Sequence, residues 1–129
     1  MVSPNLAGYQ AYQKNKFQTA SPHRLTLMLY NGAIQFASKA KEAIDNGDIA
    51  GTNMNVTKTQ DIVYELLSSL NEKEGGEIAS NLKKLYFYMI DRLIEGNIKK
   101  QSSSIDEVIS LLQELQSAWV EIGKGGTLG

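Results

Sequence analysis

No cysteine occurs in the 129 residues, which removes disulfides, thiolate nucleophiles and thiolate metal sites and is compatible with a reducing compartment. Neither sign of charge dominates: 13 Lys plus Arg stand against 14 Asp plus Glu, a formal net charge of −1. No basic block is present to neutralise a row of phosphates, so nucleic acid is not an expected partner. No apolar run approaches the roughly 20 residues that span a bilayer, and the opening MVSPNLAGYQAYQ lacks the basic flank and continuous apolar stretch of a secretory signal. The expectation is a soluble cytoplasmic protein without membrane insertion. The length fits one domain able to bury a core without metal or disulfide support.

What is present is helical punctuation. Ser21 followed by Pro22 starts a helix, because the hydroxyl accepts from an orphan amide and proline at the first position has no donor to waste. That helix should run to about Asn46, with Gly47 as a left-handed stop. A second is expected from Asp48 to Asn71, with Val56, Val63, Leu67 and Leu70 on one side. NEKEGGE, Asn71 to Glu77, reads as a polar turn, and a third helix from Ile78 to Lys100 carries a stripe of Ile78, Leu82, Leu85, Tyr86, Met89 and Leu93. Ser104 and Glu107 stand at capping-box spacing before a fourth helix striped by Ile105, Val108, Leu112, Leu115, Trp119 and Ile122.

Long amphipathic helices joined by short polar turns make antiparallel neighbours. The expected fold is all-α, an antiparallel up-and-down four-helix bundle over residues 21–122. It is preceded by a short N-terminal arm or helix over 1–20 and followed by a disordered glycine-rich tail over 123–129.

The first long helix has more apolar residues than one core face needs. Leu25, Leu29, Ala33, Phe36, Ala40 and Ala43 form one stripe, read as core, and Leu27, Tyr30, Ile34 and Ala37 form a second beside it. Ile62 and Leu66 on the second helix, and Phe87, Ile94 and Ile98 on the third, extend the surplus. Such an arc is either a wider buried wedge between two neighbours or an exposed groove for a partner. Tyr9 and Tyr12, in the arm, either staple it to the bundle or contribute to such a groove.

Catalytic constellations are not assembled. His23, the single histidine, reads as a surface or capping residue, since a bundle di-iron site needs two Glu-x-x-His motifs. Asp61 with Glu65, and Asp91 with Glu95, are one turn apart and read as solvated faces. Ser102 to Ser104 have no base partner, and Gly75-Gly76 lacks the strand and Gly-Lys-Ser/Thr ending of a phosphate loop. No enzyme activity, metal or cofactor is expected.

AYQKNKFQTASPHRLTLMLYNGAIQF (Ala11 to Phe36), KEGGEIASNLKKLYFYMIDRLIEGNI (Lys73 to Ile98) and AWVEI (Ala118 to Ile122) together resemble the flagellar secretion chaperone family FliS, in order from about Tyr9 to Ile122. The resemblance implies a cytoplasmic bundle that binds the C-terminal segment of flagellin, prevents premature polymerisation and delivers the client to the export gate protein FlhA. FliW and the anti-sigma factor FlgM are further partners that related chaperones engage. In that family the client wraps the bundle, partly as helices in apolar grooves, and the N-terminal arm takes part. Carried over by position, Tyr9 and Tyr12 match the arm, and Leu27, Tyr30 and Ile34 the start of the first long helix.

The resulting expectation is a flagellin-binding set of Tyr9, Tyr12, Leu27, Tyr30, Ile34, Ile62, Leu66, Phe87 and Ile94. An amphipathic client helix would lie on apolar surface, and the chaperone alone would be monomeric. The alternatives are a homodimer that covers the same surplus with a second copy, a general helical adaptor, and a small bundle enzyme built on Asp61 and Glu65.

Overall fold

The computed structural model describes residues 21–124; the expected arm, with Tyr9 and Tyr12, and tail residues 125–129 lie outside the described residues. Four helices follow in order: α1 (Pro22–Asp45), α2 (Ile49–Ser68), α3 (Glu72–Lys99) and α4 (Ser102–Lys124). Each packs on its chain neighbour, and α4 closes the ring against α1. This is the antiparallel up-and-down four-helix bundle anticipated from the pattern, with no strand among the described residues.

Local chemistry sets most helix ends. The Ser21 hydroxyl accepts from the Arg24 amide at 3.2 Å, with Pro22 in the first turn. After α1 the chain turns through Gly47 at φ +69, the left-handed stop expected there. Asp48 caps α2, its carboxylate accepting from the Gly51 amide at 2.9 Å. Within α2 the threonines are accommodated by bonding back along the helix. Thr52 and Thr59 are both fully buried, and their hydroxyls donate to the carbonyls of Asp48 and Asn55 at 2.8 Å each.

Two boundaries differ from expectation. NEKEGGE is not a bare turn: the Asn71 side chain accepts from the Glu74 amide at 3.1 Å and starts a helical turn, which breaks at Gly76 (φ +56, ψ −128) before α3 proper continues. Glycine tolerates that conformation without a Cβ penalty. In α4, Ser104 is not a cap but a buried residue inside the helix. A Cβ on Gly96 would stand 2.6 Å from the Ser104 hydroxyl oxygen and 2.8 Å from Ile105 Cδ1, so α3 and α4 cross in close contact here. Small residues at the crossing permit that approach.

The core also redistributes α1. Ala33, Ala37, Ala40 and Ala43 are buried as a small-residue ridge, and Tyr30, from the second stripe, is 1% exposed. Leu25, Leu29 and Phe36, expected as core, are only half-buried. Phe36 sits at the edge of α1 with the ammonium groups of Lys39 and Lys58 5.4 and 5.1 Å from its ring centroid. From the other helices Val56, Val63, Leu66, Tyr86, Met89, Ile90, Leu93, Ile105, Val108 and Leu112 complete the core. Ile78 and Ile122, expected in the core stripes, are 73% and 41% exposed because both lie near the ends of the bundle.

His23 is not a surface residue. It is half-buried, stacked on Trp119 with ring centroids 5.5 Å apart. Its Nε2–H donates to the Trp119 carbonyl at 2.7 Å, and the Trp119 indole N–H donates to the His23 carbonyl at 3.0 Å. The start of α1 and the end of α4 are joined by this reciprocal pair.

Candidate functional site

The four seams between neighbouring helices are not equivalent. Across α3 and α4, Arg92 Nε donates to Glu107 at 2.7 Å and the Tyr88 hydroxyl donates to the same carboxylate at 2.8 Å. These two donors, Tyr88 first, hold the Glu107 carboxyl below the ordinary carboxylate range, and the carboxylate in turn raises the Tyr88 phenol. Glu95 is held low in the same way, first by Lys99 and then by Arg92. Across α1 and α4, Lys41 pairs with Asp106 at 2.7 Å and Gln116 donates to Asn31, in addition to the His23–Trp119 pair. Both seams are clasped by polar side chains.

The seam between α2 and α3, like that between α1 and α2, has no such series of clasps among the described residues, and exposed apolar side chains line it. Among the described residues its one polar side-chain bridge is Lys100 to Asn53 at 2.9 Å, at one end. Along α3, Phe87 (48% exposed), Ile94 (41%) and Ile98 (76%) stand on the edge of the helix opposite Tyr88 and Arg92, and hence toward α2. On α2, Tyr64 (50% exposed) lies three helical turns beyond Asn53 and flanks the same seam. Isolated exposed apolar residues need no explanation, but several along one unclasped seam form a contiguous apolar strip. Tyr64 and Ile98 were not in the expected set; the signal for Ile98 was its register with Ile94, and Tyr64 had none in the sequence alone.

A second apolar concavity lies at the end of the bundle, beside the first turn of α3 at Asn71, Glu74 and Gly75. A cleft of about 590 Å³ is lined there by Tyr30, Leu66, Leu70, Leu82, Tyr86 and Trp119, among others. An adjoining cleft of about 660 Å³ between α1 and α2 is lined by Pro22, Leu25 and Leu29 with Glu65 at its edge. The two share the lining residues Thr26 and Ser69 and so adjoin. Two of the lining residues, Tyr30 and Tyr86, are joined through their buried hydroxyls, 2.6 Å apart. Burial raises both phenols above their ordinary range.

The nine expected residues therefore do not share one surface. Tyr30 and Leu66 are each 1% exposed; both were expected to present surface, and both instead belong to the core, where they also line the end cleft. The hydroxyl of Tyr30 is tolerated inside because Tyr86 partners it. Leu27 and Ile34 are half-buried on the α1 face that carries Asn31 and Lys41, and so flank α4. Ile62 is half-buried between α2 and α1, its Cδ1 3.2 Å from where a Cβ on Gly32 would stand. Phe87 and Ile94 lie across the bundle on the α2–α3 seam. Tyr9 and Tyr12 are outside the described residues. No helix among the described residues is long and apolar enough to cross a membrane, and no group of three or more metal-ligating side chains is present among them.

Comparison with known proteins returns one family. The model for Flagellar protein FliS matches residues 5–126. A protein of Bacillus subtilis named Flagellar secretion chaperone FliS is 40% identical over 111 residues, covering 86% of this chain and 82% of its own length. The protein of that name from Campylobacter jejuni is 38% identical over 124 residues, covering 96% of both chains. That from Salmonella typhimurium is 35% identical over 121 residues, covering 90% of both.

Proposed function

Because this chain belongs to the FliS family of flagellar secretion chaperones, we propose that it binds the C-terminal segment of flagellin, keeps it from polymerising and hands it to the export machinery. Its work is binding, not catalysis. The observation that carries the site assignment is the unclasped α2–α3 seam, with Tyr64, Phe87, Ile94 and Ile98 exposed along it. An amphipathic client helix laid there buries its apolar face against these side chains, the helix-in-groove mode. The polar clasps on the α3–α4 and α1–α4 seams leave those seams closed to the same use. Leu27 and Ile34, half-buried beside the clasped α1–α4 seam, are left to a client stretch that passes over the bundle surface without seating between helices, and Tyr9 and Tyr12 of the N-terminal arm add contacts.

Coupled ordering of such a client costs about 2–5 kcal/mol while burying roughly 1,000–3,000 Å². Apolar contact supplies the surplus without ATP. The net charge of −1 and the apolar seam imply an affinity that depends weakly on salt. Transfer to the export gate protein FlhA after binding, like engagement of FliW or FlgM, is a further proposal resting on family resemblance. Cytoplasmic action, before export, is part of the same reading.

Calorimetric titration with a synthetic flagellin C-terminal peptide tests this. The expected result is one-to-one binding, weakened about tenfold or more by Phe87→Asp or Ile94→Asp while circular dichroism stays helical. Unchanged affinity in both variants would remove the seam from the site. Affinity that falls by orders of magnitude with added salt would contradict the apolar mode. Sedimentation over a concentration range separates the homodimer alternative, since the chaperone without client should remain a monomer.

A further inference from the structure

The end cleft contains an imbalance that packing does not require. Each tyrosine hydroxyl carries one proton to donate and two lone pairs to accept with. In the pair formed by Tyr30 and Tyr86, 2.6 Å apart, one hydroxyl donates to the other. The receiving hydroxyl keeps its own proton, and among the described residues neither oxygen has another hydrogen-bonding partner. Burial holds both phenols neutral at physiological pH, so both protons are present. The two side chains are 1% and 2% exposed, yet both line the cleft. A core that needed only volume here would be served by phenylalanine at both positions.

The cleft's other walls restrict what can use that proton. Leu66, Leu70, Leu82 and Trp119 make it mainly apolar. The charged lining residues are Glu74 here and Glu65 in the adjoining depression, with no lysine or arginine. An anionic acceptor would meet acidic side chains and no counter-charge, so the complementary group is a neutral carbonyl on an apolar segment. Polypeptides expose such groups as main-chain carbonyls at the ends of helices, where the last turn has no internal donor.

We propose that the end cleft is a client subsite, distinct from the α2–α3 seam, in which the spare hydroxyl proton of the Tyr30–Tyr86 pair is donated to an amide carbonyl of the bound polypeptide. This rests on the chaperone reading above. The pair is a relay of two interchangeable donors: whichever tyrosine is retained can present a proton to the client. Removing one hydroxyl leaves the other unpartnered inside the free protein, whereas removing both leaves an apolar lining with nothing unsatisfied. Stability and affinity should therefore respond in opposite orders.

The test uses the full chain, the flagellin C-terminal peptide, and the variants Tyr30→Phe, Tyr86→Phe and the double variant, with melting followed by circular dichroism and binding by calorimetry. Each single variant should melt below the parent and bind the peptide at least as tightly. The double variant should melt at or above the singles and bind about tenfold more weakly. A double variant that binds like the parent overturns the subsite. A single variant that loses as much affinity as the double overturns the relay, since that one hydroxyl would then be the sole donor. If the parent itself does not bind the peptide, the flagellin reading fails first and this assignment falls with it, an outcome separable from both others.

Discussion

Leu66 and Ile94 were both expected to face a client, yet they differ in burial: Leu66 is 1% exposed and Ile94 is 41% exposed. Truncation to alanine should separate them. Leu66→Ala removes three carbons' worth of fully buried side chain, about 2.4 kcal/mol at roughly 0.8 kcal/mol per methylene. A cavity term of about 24 cal/mol per Å³ adds to this, limited because Leu66 borders the open cleft. The expected cost is about 2–4 kcal/mol. For a chain of this size each kcal/mol moves the midpoint by about 3–4 °C, so Leu66→Ala should melt about 6–16 °C below the parent. Ile94→Ala, already well exposed, should lose only about 1 kcal/mol, or about 3–4 °C. Thermal melts at 222 nm under two-state conditions measure both. The partition is refuted if Leu66→Ala melts within about 3 °C of the parent, or if Ile94→Ala falls as far as Leu66→Ala.

Gly96→Ala places a methyl 2.6 Å from the Ser104 hydroxyl oxygen and against Ile105, and should destabilise by about 1–3 kcal/mol through overpacking; adding Ser104→Gly should recover part of that loss. Glu107 is held below its ordinary value of about 4.3 by Tyr88 and Arg92. Its contribution is therefore present above the unfolded value and lost as pH falls through the folded one. The acid limb of a stability–pH curve should flatten in Glu107→Gln below about pH 4. The Tyr30 and Tyr86 phenols are raised in the folded protein, so their contribution holds below the ordinary value of about 10 and fades as pH rises beyond it. Melting temperature should drop above about pH 10 in the parent, and less in the double phenylalanine variant.

Helix starts and stops were legible where neighbouring residues decide them. Ser21 with Pro22, Asp48 and Gly47 act through contacts within a few residues, and the structure uses them as read. Ser104 was misread as a cap because three consecutive serines satisfy the same local pattern. Its actual position follows from the close crossing with Gly96, eight residues earlier and on another helix. Periodicity showed that α1 is apolar over a wide arc but not which edge of the arc faces inward. Tyr30 goes inside because Tyr86, on α3, supplies a partner for its hydroxyl. Leu29 yields its expected place and opens onto a cleft.

The site followed the same division. Phe87, Ile94 and Ile98 were recognisable as surplus on α3 because the stripe from Leu82 through Leu93 already fills the interior. Leu27 and Ile34 do not share a face with them, since α1 packs against α2 and α4 while α3 sits across the bundle. Tyr64 became a candidate only when the Asn53–Lys100 bridge showed which edge of α2 borders α3. Which seams are closed depends on Glu107, Arg92, Lys41 and Asp106 meeting across helices, information that one-dimensional periodicity does not contain.

Methyl-resolved NMR of the isoleucine-labelled protein during titration with the flagellin C-terminal peptide examines the seam itself. Ile94 and Ile98 should shift strongly and show intermolecular contacts with the peptide, while Ile105, sealed between α3 and α4, shifts little. Saturated one-to-one binding that leaves the Ile94 and Ile98 methyls where they began would mean that the client lies elsewhere on the bundle.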